Sequence, residues 1–268
     1  MTRIVLCVVL LLGLAFGEAT AASANATERL DRLEAGVQAA EAVRAVKRLQ
    51  HSFAHYLEAG AWSDLAELFT ADATGEFGDV KVSGRKALRR HFMSQAGRSS
   101  EGLAKGQLHT HLIMQPIITL DADGRTARGT WHEFAMLGRY GESAKWRGGI
   151  YENEYVLENG VWKIHRLRYF GQYHGDYDDD GHHSPPKWNI PYHFEAKHVG
   201  VTIPQPLLQR TVPSRLRPNI RAAQLAERVQ QLNDETQVQN LQHAFGYYLD
   251  RKHWDDVVDL FAESGSLE

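Results

Sequence analysis

The chain has 268 residues, of which 43% are hydrophobic and six are tryptophan, so it is long and apolar enough to bury a sizeable core. Its formal net charge is -3 and its pI is near 6.5. Because no dense run of Lys and Arg is present, nucleic acid and anionic membrane surfaces are disfavoured as partners. A small molecule or another protein is the expected ligand.

The first residues have the features of a signal peptide. Arg3 supplies a positive charge, residues 4–16 are apolar, and small residues precede a cleavage site near Ala21. We therefore expect residues 1–21 to be removed and the protein to be secreted or periplasmic, with no membrane segment after cleavage. Cys7 is the only cysteine and lies inside this segment, so disulfides and thiol chemistry are not expected in the mature chain.

Helical spacing dominates the next part of the chain. Apolar residues recur every three or four positions over residues 28–58 and predict one long amphipathic helix that Gly60 ends. The same spacing continues over 62–69 in a short second helix. After a strand around 75–82, a third helix is predicted over 85–95.

The period then changes to that of strands. Segments 107–120, 126–138, 146–157 and 161–171 are rich in Ile, Val, Thr, Trp and Tyr. The last two are joined through Asn159-Gly160, a pair typical of a type I′ hairpin turn. Three helices followed by an antiparallel meander predict an α+β fold, with the helices covering one face of the sheet.

Beyond residue 172 the composition becomes that of loops, and prolines mark 173–218 as an extended wrap and linker. An internal repeat follows. Residues 46–69 align with 238–261 at a constant offset of 192, and eleven of the twenty-four positions are identical. Residues 219–268 are therefore interpreted as an incomplete second copy of the opening helices.

The second copy has an apolar stripe but no strands after it. Two such helices cannot bury that stripe alone. They must pack on the first domain, pair with another chain, or belong to a truncated sequence, and truncation is the favoured interpretation.

Several short motifs together resemble one known family. They are residues 57–62, 68–73, His111 ahead of Pro116-Ile117-Ile118, 151–155 and 160–164. In order and spacing they resemble the SnoaL-like branch of the nuclear transport factor 2-like superfamily, whose members include scytalone dehydratase and bile acid 7α-dehydratase. The resemblance implies a cone over residues 28–172, a curved antiparallel sheet wrapped by three helices with a deep apolar pocket at its open end.

The same resemblance implies two catalytic residues. In the dehydratases a histidine on the strand after the third helix and an acid at the end of the first helix lie in the pocket, and these fall on His111 and Glu58. An imidazole can move a proton near neutral pH, and a nearby carboxylate fixes its tautomer. Phe53 stands where the bile acid enzyme has a tyrosine, so the acid/base set differs from that enzyme.

Further candidates follow from strand alternation. Trp131 and Glu133 share one strand face, and we expect both, with Phe53, Trp62 and Tyr151, to line the pocket as substrate-binding residues. His109 shares the face of His111, so one of the two histidines is expected to be structural. Glu152 and Glu154 are interpreted as a solvated edge.

No metal or cofactor is expected. Residues 176–181 have the acidic spacing that opens a calcium loop, but Lys187 stands where the closing glutamate would be. The adjacent His182 and His183 point apart in most backbones, which disfavours zinc. The chain also has no glycine-rich phosphate loop.

Two functions remain open. One is a cofactor-independent lyase or isomerase, similar to a dehydratase, that acts on a mid-sized apolar compound carrying hydroxyl or carbonyl groups. The other is a binding module in which the same pocket holds a small apolar molecule and the sheet face forms a homodimer. A carboxylate within hydrogen-bond reach of His111 at an apolar cavity would favour the enzyme.

Overall fold

The computed structural model describes residues 2–177, 189–195 and 218–266, with side chains from residue 25 onward. Residues 178–181 of the run that has calcium-loop spacing, the two adjacent histidines and most of the predicted linker lie outside the described residues. The elements in chain order are α1 (Thr2–Ala59), α2 (Trp62–Glu67), β1 (Phe69–Phe77), β2 (Val80–Ser83), α3 (Arg85–Gln95), β3 (Gln107–Leu120), β4 (Thr126–Arg139), β5 (Ser143–Glu158), β6 (Val161–Asp176), α4 (Pro218–Arg251) and α5 (Trp254–Asp259).

The chain divides into two compact units, one of which is Gln38–Gln209. This unit contains a curved, unclosed sheet of six strands in the order β2-β1-β6-β5-β4-β3. All neighbouring strands are antiparallel except β1 and β6, which are parallel. The predicted α+β fold is confirmed, although the sheet is mixed rather than purely antiparallel.

The core of this unit lies between the helices and one face of the sheet. It is built from the apolar faces of α1, α2 and α3 and the inward side chains of the strands, among them Val46, Phe53, Trp62, Phe69, Leu88, Tyr155 and Ile164. Burial of each large side chain contributes roughly 1.5–3 kcal/mol. The helical stripe read from the sequence is therefore the buried one.

Two predictions of local structure are wrong. Phe69 does not end the second helix but begins β1, where it pairs with Ile164 of β6. The single strand predicted at 75–82 is a hairpin of β1 and β2, because the chain turns at Gly78, whose φ is +64°. A side chain would be strained at that angle, so this glycine marks the turn.

The hairpin between β5 and β6 is as predicted. Asn159 has a φ of +50° and Gly160 a φ of +81°, the signs that a type I′ turn requires. The turn sets the register in which Glu158 faces Val161 and Tyr155 faces Ile164.

The other unit comprises Met1–Val37 and Arg210–Glu268. Within it Arg221 of α4 forms ion pairs with Asp31 at 2.7 Å and with Glu34 at 2.5 Å. The helix predicted to open near Asn219 is present as α4. Within the described residues, no helix combines the length and the apolar character needed to cross a membrane.

Candidate active site

A cavity of about 750 Å³ lies in the unit Gln38–Gln209, between the sheet and the helices. That volume suits a ligand of drug-like size. The apolar part of its lining comprises Leu57, Phe77, Val80, Phe92 and Leu137. Hydrogen-bonding groups of the lining come from β3, β5 and β6, namely His109, His111, Arg147, Tyr151, Tyr169 and Tyr173.

His111 and Glu133 form a buried pair next to the cavity. The register of β3 and β4 places His111 opposite Ala135, so Glu133 is its diagonal neighbour on the same face. The distance from His111 Nδ1 to Glu133 Oε1 is 2.8 Å, and the two side chains are 1% and 0% exposed. Because an ionised carboxylate only accepts hydrogen bonds, Nδ1 must carry the proton, and Nε2 of the neutral ring is then an acceptor.

The environment of Glu133 favours its ionised form. Burial opposes ionisation, but the hydrogen bond from His111 and the charge of Arg147 outweigh it, and the pKa of Glu133 is lowered to about 2. Tyr151 donates a hydrogen bond to Oε1 at 3.1 Å, and Nε of Arg147 lies 3.5 Å from Oε2. Glu133 is therefore a fixed negative charge that orients the imidazole.

The Nε2 atom of His111 is left without a partner. It is buried, and within the described ranges no protein group hydrogen-bonds to it. A buried acceptor with no partner is costly unless a ligand or water satisfies it. This atom is the strongest indication of chemistry in the site.

Glu58 contacts His111 in a different way from the one predicted. Its Oε1 accepts a hydrogen bond from the backbone N–H of His111 at 2.7 Å, and it makes no hydrogen bond to the imidazole nitrogens. Since β3 is an edge strand, this N–H has no neighbouring strand to bond. Glu58 therefore positions β3, while the tautomer-fixing carboxylate is Glu133. A catalytic role for Glu58 stays a prediction.

His109 is the second histidine of the cavity. Its Nδ1 lies 3.0 Å from the carbonyl oxygen of Leu57, so Nδ1 must donate. Its ring centroid is 4.6 Å from that of His111 and 6.3 Å from that of Trp62. Burial, followed by the neighbouring His111, lowers the pKa of His109 to about 4, so this ring is neutral near neutral pH.

Arg147, Tyr151 and Tyr169 form a donor group beside the histidines. The Arg147 guanidinium lies 5.6 Å from the centre of the Tyr169 ring, and the rings of Tyr169 and Tyr151 are 4.8 Å apart. Gly149 makes this arrangement possible, because a Cβ there would approach the Tyr169 ring to 2.5 Å. Burial and the charge of Glu133 raise the pKa of Tyr169, so its hydroxyl keeps its proton.

Three predicted pocket walls lie elsewhere. Phe53, Trp62 and Trp131 are fully buried in the core, and the cavity lining does not include them. Trp131 donates to the hydroxyl of Tyr155 at 2.8 Å, and that hydroxyl donates to Gln50. Phe53 packs edge-to-face on Tyr151 and Phe92, which line the cavity. Of the five predicted substrate-binding residues, Tyr151 lines the cavity, and Glu133 lies behind His111, to which it is hydrogen-bonded.

Glu152 is buried, and the prediction of a solvated edge is wrong for this residue. On the opposite face of the sheet it accepts hydrogen bonds from Thr130 and from His193, whose Nδ1 is 3.1 Å away. His193 belongs to the segment 189–195, and it also lies within hydrogen-bond distance of the Thr130 hydroxyl. The result is a second buried His–Glu pair that does not line the cavity.

Arg147 and Tyr169 were not among the predicted site residues. The signal that could have found them is the same two-residue spacing that identified Glu133, because Arg147 shares the parity of Tyr151 on β5 and Tyr169 that of the core residue Leu167 on β6. For metals, no group of three or more candidate ligands occurs among the described residues.

The sequence matches a known domain family. The profile of the SnoaL-like domain matches residues 38–168 and 230–268. A search of curated proteins found no match.

Among solved structures, a putative scytalone dehydratase from Novosphingobium aromaticivorans is 19% identical, with a TM-score of 0.45, and the match covers 55% of this chain and 94% of that one. LinA is 14% identical, with a TM-score of 0.46 and coverage of 57% and 99%. ActVI-ORFA from Streptomyces coelicolor is 10% identical, with a TM-score of 0.42 and coverage of 48% and 96%. The profile match extends over more than half of the sequence, and the chain belongs to the SnoaL-like domain family.

Proposed function

We propose that this SnoaL-like protein is a cofactor-independent lyase or isomerase. Its substrate is a mid-sized apolar compound that carries a hydroxyl or carbonyl group. The observation that supports this most strongly is the buried His111–Glu133 pair, 2.8 Å apart at the wall of an apolar cavity, with Nε2 of His111 lacking a partner.

In the proposed reaction, Nε2 of His111 takes a proton from the carbon next to the substrate carbonyl. Glu133 stabilises the imidazolium that forms, as a carboxylate does in other histidine-based sites. Arg147 and the Tyr169 hydroxyl donate hydrogen bonds to the carbonyl oxygen as negative charge develops there.

Two outcomes follow from the enolate. In an elimination, the C–O bond at the β carbon breaks, a C=C bond forms, and His111 returns its proton to the departing hydroxyl so that water leaves. In an isomerisation, His111 returns the proton to another carbon. Neither route changes the oxidation level of the whole molecule, so neither requires a redox cofactor.

A binding module on the same cavity is the second candidate. It is favoured by the 1% exposure of the His111 side chain, which is small for a catalytic base. In this case the cavity holds an apolar molecule without converting it.

The aldol of benzaldehyde with acetone is a suitable first substrate, because loss of water gives a conjugated ketone that absorbs in the ultraviolet. We expect the full chain to accelerate this loss, and His111→Asn to reduce the rate by about 100- to 10,000-fold, the usual contribution of a general base. Glu133→Gln should also reduce it, since a neutral amide stabilises the imidazolium less well.

The control is Glu152→Gln, which removes an equally buried carboxylate that hydrogen-bonds a histidine on the other face of the sheet. It should leave the rate within about threefold, a change in activation free energy of less than about 0.7 kcal/mol, because this carboxylate does not line the cavity. Equal loss in Glu133→Gln and Glu152→Gln would indicate a stability effect and contradict the catalytic role. Binding of the aldol without any acceleration would favour the binding module.

A further inference from the structure

We propose that His109 is the specificity-determining residue of the cavity: its Nε2 atom accepts a hydrogen bond from a substrate hydroxyl, next to the site where His111 acts. The preferred ligands are then hydroxy-carbonyl compounds rather than simple ketones, ethers or hydrocarbons. The inference deepens the proposed function, but its test is ligand binding and does not depend on turnover.

The first support is the tautomer of His109. The Leu57 carbonyl oxygen, 3.0 Å from Nδ1, can only accept, so the proton of the neutral ring is on Nδ1. Nε2 then carries a lone pair and no proton. In the part of the chain that the structure describes, no group donates to this atom, and the residue lines the cavity.

The second support is the charge around the ring. Burial lowers the pKa of His109, and His111 on the same strand and Arg147 on β5 lower it further, whereas the Leu57 carbonyl and Glu133 on β4 act in the opposite direction. The ring therefore stays neutral and remains an acceptor. It is a weaker base than a histidine paired with a carboxylate, so binding suits it better than proton transfer.

The third support is the arrangement of donors and acceptors. His109 and His111 present two acceptor atoms side by side, with ring centroids 4.6 Å apart, and Arg147 and Tyr169 supply donors. A ligand with only acceptor groups leaves the His109 atom unsatisfied. A site that hydrogen-bonds a substrate hydroxyl discriminates strongly against analogues that lack the hydroxyl, because its own polar group is then left unpaired. An apolar pocket discriminates only weakly against a ligand that carries an additional hydroxyl.

The test compares two ligands of similar shape, β-naphthol and its methyl ether, of which only the first has a donor. We expect the full chain to bind β-naphthol about tenfold more tightly, the effect of one hydrogen bond of about 1.4 kcal/mol. Calorimetry or ligand fluorescence measures the two affinities.

Two variants of His109 separate its two nitrogens. Asn places an amide near Nδ1 and can keep the contact with Leu57, but it has no group at the Nε2 position. Gln places its amide oxygen near Nε2. His109→Asn should therefore lose the preference for β-naphthol, while His109→Gln should retain most of it. A preference that survives in His109→Asn at its full size would overturn the proposal.

Nitrogen NMR of the histidine rings provides a second readout. In the full chain His109 should show the neutral tautomer with its proton on Nδ1, and β-naphthol, but not its ether, should shift the Nε2 signal. If neither compound binds, the position of the proton on the neutral His109 ring tests the proposal. A proton on Nε2 at neutral pH would refute the assignment of Nε2 as an acceptor. Loss of turnover without loss of the naphthol preference would instead refute the proposed catalysis and leave His109 in its role.

Discussion

The two helical segments related by the offset of 192 residues have the same local structure. Helix α2 begins at Trp62 and α5 at Trp254, and both are six residues long. The preceding helices end with the same turn: Ala61 N–H bonds the Tyr56 carbonyl and His253 N–H bonds the Tyr248 carbonyl, each at 2.9 Å. These are the bonds of a Schellman C-cap.

The burial of the two segments differs completely. Val46 is 0% exposed and its counterpart Val238 is 66% exposed; Trp62 is 0% and Trp254 58% exposed. In the first segment the curved sheet covers these side chains. The comparison shows that the sequence pattern is sufficient to form the helices, whereas burial of their apolar faces depends on the sheet.

The largest expected difference concerns the two tryptophans. Trp62→Ala should lower the free energy of unfolding of the unit Gln38–Gln209 by about 3–5 kcal/mol, because it leaves a large cavity. Trp254→Ala should change stability by less than about 0.5 kcal/mol, as exposed substitutions usually do. Urea denaturation with hydrogen exchange resolved along the chain measures both. Equal losses would mean that Trp254 is buried in solution and would remove the contrast.

Acid should destabilise the sheet-covered unit in particular, since it contains His109 and Glu133, whose pKa values are strongly lowered. The pKa of His109 is about 4 in the folded chain, whereas that of an ordinary histidine is 6.5. As the pH falls, the unfolded chain therefore binds this proton at a higher pH than the folded chain does. Stability is therefore lost as the pH falls between these values, by about 1–2 kcal/mol after allowance for partial exposure of the ring.

Glu133 is expected to cause a second loss of stability, at lower pH. Its pKa of about 2 is depressed from 4.5, so its contribution, about 3 kcal/mol, is present above 4.5 and is lost as the pH falls towards 2. Hydrogen exchange of residues 38–177 should accelerate in both pH ranges. His109→Gln should remove the first loss and Glu133→Gln the second; an unchanged acid profile in either variant would contradict its assignment.

The last contrast concerns the turn after each long helix. Gly60 and Lys252 occupy equivalent positions with φ of +66° and +59°. A Cβ at Gly60 would also approach the backbone carbon of Gly102 to 2.7 Å. Gly60→Lys should therefore cost at least about 2 kcal/mol, from the left-handed conformation and the close approach together.

The reverse change, Lys252→Gly, should stabilise α4 by up to about 1 kcal/mol, because only the strain of the positive φ is relieved. Thermal unfolding followed by circular dichroism measures both variants. A loss of stability in Lys252→Gly would show that its side chain makes contacts that the glycine counterpart does not.

Much of the fold could be predicted from the sequence. The helical spacing over 28–58, the alternation in the four long strands and the Asn159-Gly160 turn each depend on neighbours within a few residues, and the structure confirms them. The start of β1 at Phe69 could not be read in the same way, because pairing with Ile164, far along the chain, decides it.

The candidate site could likewise be predicted only in part from the sequence. Alternation alone places His109 with His111 and Trp131 with Glu133, so the sequence correctly identifies the inward-facing residues. It cannot identify which carboxylate reaches the imidazole. That depends on the register between β3 and β4, which makes Glu133 the diagonal neighbour of His111 and leaves Glu58 to bond the backbone.

By itself, then, the sequence determined most of the local elements, their faces and the family, since these follow from periodicity, turn residues and motif order. Only the tertiary structure decided which apolar faces are buried, which glutamate pairs with His111 and which aromatic residues reach the cavity. Those outcomes depend on contacts between strands and helices distant in the chain, where a shift of one residue exchanges the faces of a strand.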